Sequence, residues 1–336
     1  MRRIRLWLEI VLVAGMIGVL GGSAWLAWES RPPDGAGRET VLFEIVPGQS
    51  VRSVARSLEA RGLIRKSEPF VVLYRLHHGK ETIKAGEFAL PAGRGTKETL
   101  VTLLRGKLYL HPVTVAEGLT AGETFDVFLA ASFGARDAFE AGFRNTAEIA
   151  LLDPGAADLE GYLFPETYHF PKGAAAAEIL SSMVAQFKNV FGPEERIRAA
   201  EIGMTPRQVV ILASLIEKET GRPEEKPLVS AVFHNRLRIG MKLECDPTVI
   251  YALKREGKYN GRLLKKDLQF DSPYNTYRYA GLPPGPICNP GEASIEAALA
   301  PAAADYLFFV ADRERGHVFS RTLRDHQRAV HAYRRK

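Results

Sequence analysis

The stretch Val41-Leu42-Phe43-Glu44-Ile45-Val46-Pro47-Gly48-Gln49-Ser50-Val51-Arg52-Ser53-Val54-Ala55-Arg56-Ser57-Leu58 changes its periodicity at a single turn. Its first six residues are rich in β-branched and aromatic types and predict a strand. Pro47-Gly48 predicts a turn, and Ser50 supplies an N-cap oxygen for a helix whose apolar positions Val51, Val54, Ala55 and Leu58 keep helical spacing until Gly62. A second helix is predicted over residues 67–77, and an extended segment over 81–90. A short helix follows over 96–104, capped by Thr96 with Glu98 in its first turn. The run Val113-Thr114-Val115-Ala116-Glu117-Gly118-Leu119-Thr120 echoes residues 45–50 and predicts a related strand-turn-helix, although one loose echo is not a repeat architecture.

Helical patterning dominates residues 174–237, and residues 273–290 are crowded with Pro, Gly, Tyr and Asn, the composition of a rigid loop suited to lining a binding site. Residues 306–310 and 317–320 predict a hairpin turning through Arg315-Gly316, with a basic helix over the last dozen residues. The fold class is α+β.

Toward the N-terminus, Met1-Arg2-Arg3-Ile4-Arg5 precedes a run from Leu6 to Trp28 whose one charge is Glu9. From Ile10 to Trp28 nothing is charged, a length that approaches the roughly 20 residues a helix needs to cross a bilayer. The arginines bias residues 1–5 to the cytoplasm, and Trp7, Trp25 and Trp28 suit the two interfaces, so the chain after Trp28 is expected outside the cytoplasmic membrane. A cleaved signal peptide is the competing reading; the run exceeds the usual h-region of about 7–15 residues and no small-x-small site ends it. Residues 29–39 are Pro-, Gly- and Arg-rich and read as a linker.

At 336 residues the chain accommodates an anchor and two domains, and its 46% apolar and 25% charged residues exclude disorder and a many-pass membrane protein. The net charge of +6 is scattered, and an outward-facing chain does not meet DNA, so an anionic membrane surface or acidic polymer fits better than nucleic acid. Cys245 and Cys288 read either as small buried hydrophobes or as a pair in an oxidising compartment.

One helix carries a candidate for chemistry. Thr205-Pro206-Arg207-Gln208 combines an N-cap threonine, a first-turn proline and a capping-box glutamine. Val209 through Ile216 contain one polar residue, Ser214, which predicts burial on most faces. Glu217, Lys218 and Glu219 then crowd the last turn. Glu217 continues the stripe Val210, Ala213 and Ser214, whose small side chains are expected to leave room for a ligand. Desolvation and the negative end of the helix dipole would favour a protonated carboxyl, as a general acid requires, with Lys218 or Arg222 opposing.

Several segments in order carry a resemblance: Leu159-Glu160-Gly161-Tyr162-Leu163-Phe164-Pro165-Glu166-Thr167-Tyr168, Leu212-Ala213-Ser214-Leu215-Ile216-Glu217-Lys218-Glu219 and Val232-Phe233-His234-Asn235-Arg236-Leu237. They continue with Gly240-Met241-Lys242-Leu243, Asp246-Pro247-Thr248-Val249-Ile250-Tyr251, Tyr274-Asn275-Thr276-Tyr277 and the run from Gly281 to Gly291. Together they resemble the MltG (YceG-like) endolytic murein transglycosylases over essentially the whole chain. Glu166 stands where that pattern has aspartate, His234 where tyrosine is common, and Cys245 where a small polar residue is usual.

The resemblance implies a LysM-like subdomain at residues 40–106 and a catalytic domain at 107–336, with Glu217 as catalytic glutamate. It implies endolytic cleavage of MurNAc-GlcNAc linkages in nascent glycan strands to 1,6-anhydro ends, a terminase of glycan elongation. It also implies work beside penicillin-binding glycan synthases and division or elongation machinery. The muramoyl C6 hydroxyl is the nucleophile, so one glutamate can act as acid and then base, without the carboxylate pair of most glycosidases. A hydrolytic muramidase and a non-catalytic peptidoglycan-binding scaffold stay open as alternatives.

Tyr274, Asn275, Tyr277 and Asn289 offer ring faces and amides that stack on and hydrogen-bond to sugars. Asn235 is a further candidate beside a packing role. Asp246 reads as an N-cap before Pro247 or as a second carboxylate. The histidines form no metal-ligand spacing, so neither a metal nor another cofactor is implied.

Overall fold

The computed structural model describes residues 2–35, 37, 39–312 and 316–334. The chain forms two compact units, the first ending at His111 and the second starting at Pro112. The first opens with α1 (Arg2–Glu29), whose stretch Ile4–Glu29 is long and apolar enough to cross a membrane. There follow β1 (Thr40–Ile45), α2 (Val51–Ala60), α3 (Ser67–Leu73), β2 (Gly86–Pro91) and α4 (Thr96–Arg105). β1 and β2 pair antiparallel with Phe43 opposite Phe88, and α2, α3 and α4 bury Leu58, Phe70 and Leu103 against them.

β3 (Leu110–Thr114) leads into the second unit, which continues with α5 (Ala121–Ala130), α6 (Arg136–Phe143) and β4 (Thr167–Pro171), the partner of β3. Next come α7 (Ala176–Val190), α8 (Pro193–Glu201), α9 (Pro206–Glu219), α10 (Lys226–Arg238), α11 (Asp246–Arg255) and α12 (Glu292–Leu299). β5 (Phe308–Ala311) and β6 (His317–Ser320) form an antiparallel hairpin before α13 (Leu323–Arg334); its predicted turn at Arg315 lies outside the described residues. The mixed α+β class stands, with α9 at the centre of the second unit's core.

The echo read between residues 45–50 and 113–120 is one part of a larger repetition. β1-α2-α3-β2 and β3-α5-α6-β4 share one strand-helix-helix-strand order, each around a two-stranded sheet. Four strands, β1 to β4, each turn into a helix through Gly48, Gly93, Gly118 or Gly173, each three residues before the helix starts. All four glycines have φ between +76° and +80°, where a side chain is disfavoured.

Ser50 caps α2 as read, its oxygen accepting from the Ser53 amide at 3.2 Å. Thr96 does not cap α4. Gly95 holds the cap position, and Thr96 is the first helical residue, its hydroxyl buried with no partner among the described residues. The helix predicted to reach residue 77 is α-helical only to Leu73 and continues as a π-turn over Tyr74–His78, and the extended segment narrows to β2.

Candidate active site

α9 opens on the capping box read in its sequence. Thr205 Oγ1 accepts from the Gln208 amide at 3.2 Å, and Gln208 Oε1 from the Thr205 amide at 2.8 Å. Val209 through Ile216 are all buried, so the helix is enclosed until its last turn. The room expected beside Ala213 and Ser214 is filled by the chain itself. Ser214 Oγ accepts from the Ile287 amide at 3.1 Å, and the Cys288 thiol donates to the Ser214 carbonyl at 3.3 Å. Small side chains here admit backbone, not ligand.

Glu217 Oε2 accepts three hydrogen bonds: from Lys226 Nζ on the first residue of α10 (3.1 Å), from the Gly291 amide (3.1 Å) and from Ser294 Oγ (2.7 Å). Gly291 is the cap residue of α12, so the carboxyl sits at the positive end of that helix. The Glu217 side chain is 8% exposed and that of Lys226 4%. A carboxyl so enclosed must have its oxygens hydrogen-bonded, and these donors meet that need at one of the two. Among the described residues none donates to Oε1.

The partnering cation is Lys226, not Lys218 or Arg222 as the sequence suggested. Lys218 Nζ donates to the Gly118 carbonyl at 3.2 Å, and Arg222 pairs with Glu225 at 3.8 Å. A second carboxylate completes the cluster, since Glu117 Oε2 lies 3.7 Å from Lys226 Nζ.

The other sequence candidates fall in separate places. Asn289 is fully buried; its carbonyl oxygen accepts from the Gly161 and Leu163 amides (2.9 and 3.1 Å), and its Nδ2 donates to the Leu119 carbonyl (3.1 Å). Asn275 is equally buried, donating to the Leu268 and Phe270 carbonyls (3.0 and 2.7 Å) and accepting from the Tyr277 amide. Both amides clasp loops and present nothing to a sugar. Asn235 donates to the Ala304 and Tyr306 carbonyls (2.8 and 3.0 Å), fixing the chain ahead of β5. Tyr274 packs its ring on Tyr251, and its hydroxyl accepts from Arg255 at 3.2 Å.

Asp246 and Tyr277 do come together. The Tyr277 hydroxyl donates to Asp246 Oδ1 at 2.5 Å, which holds the phenol above its ordinary range together with the larger effect of burial. Asp246 is not the cap of α11: Cys245 holds that position, and Asp246 lies one residue inside with its carboxylate turned to Tyr277. Both line a cavity of about 400 Å³ with Glu219, Arg236, Phe308 and His317. Burial pushes the Glu219 carboxyl up to about 7, assisted by Asp246 and opposed by a hydrogen bond from the Cys245 thiol. Cys245 and Cys288 are both buried and unbridged. Among the described residues, no group of three or more His, Cys, Asp or Glu side chains is placed to hold a metal ion.

The model of the YceG-like family matches residues 43–332. The chain belongs to the YceG-like family. A Bacillus subtilis (strain 168) protein named endolytic murein transglycosylase is 33% identical over 93% of this YceG-like chain and 90% of its own length. A protein of the same name from Streptococcus pneumoniae serotype 2 (strain D39 / NCTC 7466) is 29% identical over 89% of the chain, which spans 59% of that longer protein. A crystal structure of a yceG-like protein from Listeria monocytogenes superposes with a TM-score of 0.59 at 30% identity, over 87% of this chain and 99% of that one.

The family match includes Glu117, Glu217, Lys226, Gly291 and Ser294. Of these, sequence reading singled out only Glu217. Lys226-Pro227 carries the signal of a helix start, but nothing in its spacing ties that helix to the end of α9.

Proposed function

We propose that this YceG-like protein is a membrane-anchored endolytic lytic transglycosylase of peptidoglycan, with Glu217 as its acid and then its base. Glu217 protonates the glycosidic oxygen of a MurNAc-GlcNAc linkage, the C1–O bond breaks and GlcNAc departs with that oxygen as a hydroxyl, the muramoyl C6 oxygen bonds to the anomeric carbon, and Glu217 takes up the C6 hydroxyl's proton. The product end is 1,6-anhydro-MurNAc. Strands cut internally while still nascent would be terminated, which places the enzyme beside the penicillin-binding glycan synthases. Residues 40–106, with their strand-helix-helix-strand order, fit a LysM-like glycan-holding subdomain. α1 fits a single-pass anchor that leaves the remainder extracytoplasmic.

The observation that carries the reading is the state of the Glu217 carboxyl: nearly enclosed, one oxygen held by three donors, the other left to exchange a proton. Relatives named endolytic murein transglycosylase support the substrate class. The test is Glu217→Gln on purified glycan strands. The carboxamide keeps size and shape but cannot deliver the proton, so cleavage falls by at least about 100-fold while the melting temperature stays close to that of the parent. Mass spectrometry of the parent's products separates the chemistries: anhydro ends support the lytic route, and reducing ends would replace it with hydrolysis. Undiminished cleavage by Glu217→Gln would remove Glu217 from the reaction.

A further inference from the structure

We propose that Glu117 is a second catalytic carboxylate, an anion set against the positive charge that develops on the sugar as Glu217 gives up its proton. The proposal rests on the lytic reading of Glu217 given above and assigns a residue that the single-glutamate scheme does not contain.

The first support is position. Glu117 and Glu217 share one ammonium, at 3.7 and 3.1 Å from Lys226 Nζ, but the two differ in exposure. The Glu217 side chain is enclosed, whereas that of Glu117 is 52% exposed and lies at the mouth of the cluster. The loop that carries Glu117 is fixed against the site. The Gly118 amide donates to the Asn289 carbonyl at 2.9 Å, and a Cβ on Gly118 would stand 3.5 Å from Glu217 Cγ. Gly291, whose amide holds Glu217, has no side chain where the Glu117 carboxylate lies, and a Cβ there would overlap it.

The second support comes from the repeated turn. Ahead of its positive-φ glycine each strand-turn-helix carries a different residue: Pro47, Ala92, Glu117 and Lys172. Proline, alanine and lysine all serve the same geometry, so the turn does not require a carboxylate. Of the four turns, the one beside Glu217 holds an acid.

The third support is charge. With Glu217 protonated, Glu117 and Lys226 cancel. When the proton passes to the glycosidic oxygen, the C1–O bond breaks with its electron pair on that oxygen and the ring becomes cationic. The cluster then holds two negative charges and one positive, a net single negative charge facing the sugar's positive one. Muramoyl O6 bonds to C1, its proton returns to Glu217, and Glu117 exchanges no proton throughout. Without Glu117 the cluster would be merely neutral when the sugar is cationic. A fixed charge aimed at where charge develops is among the largest contributions an enzyme makes. Lys218, the other nearby ammonium, is exposed and engaged with the Gly118 carbonyl.

The experiment uses the full chain on purified glycan strands, with Glu117→Gln, Glu117→Ala, Glu117→Asp and Glu217→Gln in parallel. Glu117→Ala puts at 117 the residue that the turn between β2 and α4 already carries, so it tests the charge without disturbing the turn. The expected result is a kcat lowered about 100-fold in the Gln and Ala variants, with KM within about threefold, because the charge acts in the transition state and not on the bound ground state. Glu117→Asp, which keeps the charge, retains more of the rate than either. A kcat within about threefold of the parent in both neutral variants, or a loss confined to KM, overturns the proposal. Cleavage surviving in Glu217→Gln would instead remove the lytic reading on which it rests.

Discussion

Glu160 lies beneath the start of α5, 5% exposed, accepting from the Ala121 amide at 2.9 Å and the Tyr251 hydroxyl at 3.1 Å. Burial raises its carboxyl to about 8, with the nearby Asp158 adding to that; the Ala121 and Tyr251 hydrogen bonds and Arg255 oppose. The folded chain therefore keeps a proton that the unfolded chain releases near the ordinary carboxyl value of 4.5. The stabilisation is complete below that value and declines as pH rises toward about 8, by up to about 1.4 kcal/mol per pH unit. Glu219, raised to about 7, adds a decline that ends one unit earlier. Thermal melts of Glu160→Gln from pH 5 to 9 are expected to show a shallower loss with pH than the parent; an unchanged slope would show that Glu160 does not hold that proton. Nothing local in the sequence marks Glu160 for this role, because its proton depends on a fold that brings Tyr251 and Ala121 onto one side chain. Glu217 was legible because helix, neighbours and motif converge on it. Lys226 was not, since its approach follows from how α9 and α10 pack around the short turn at Pro223–Glu225, and no periodicity encodes that.

At the scale of elements, turn glycines meet two separate demands. Gly48, at φ +80°, faces open space, so an added methyl group meets only backbone strain, about 1–2 kcal/mol. Gly161, at φ +86°, carries the same strain, but its Cβ would also stand 2.5 Å from Pro286 ring atoms and 3.0 Å from Val210 Cγ1 on α9. Gly161→Ala is therefore expected to destabilise by more than Gly48→Ala in urea denaturation, by at least about a further 1–3 kcal/mol for the overpacked contact. Equal losses would mean that the loop at Pro286 gives way freely. The same contact explains a limit of sequence reading. Strand-turn-helix elements were visible because turn, cap and apolar spacing are local signals. The small stripe on α9 was read as space for a ligand, and its true occupants, residues 161 and 286–288, lie far away in the chain. Thr96 and Asp246 were misread as caps for a related reason: each stands one residue inside its helix, and residue type alone does not distinguish these adjoining positions.

At the scale of the whole chain, α1 differs from every other helix in what surrounds it. Leu12 is 72% exposed, Val19 69% and Ile17 64%, and the apolar residues cover all sides of the helix. A helix apolar all round is stable only in a protein core or in lipid, and among the described residues no core encloses the apolar stretch of this one. The residues of the proposed chemistry, Glu117, Glu217, Lys226, Gly291 and Ser294, all fall in the unit that starts at Pro112. Retention in the membrane and cleavage should therefore separate on truncation. The full chain is expected to stay with the membrane fraction through alkaline carbonate extraction, and a chain beginning at Thr40 to appear in the soluble fraction. On short, soluble glycan strands the shortened chain should retain kcat within about threefold, because the groups that act in the transition state are unchanged. A full chain released by carbonate would argue against the anchor. A shortened, folded chain that no longer cuts soluble strands would show instead that residues before Thr40 take part in forming the site, and the catalytic assignment would have to extend beyond the second unit.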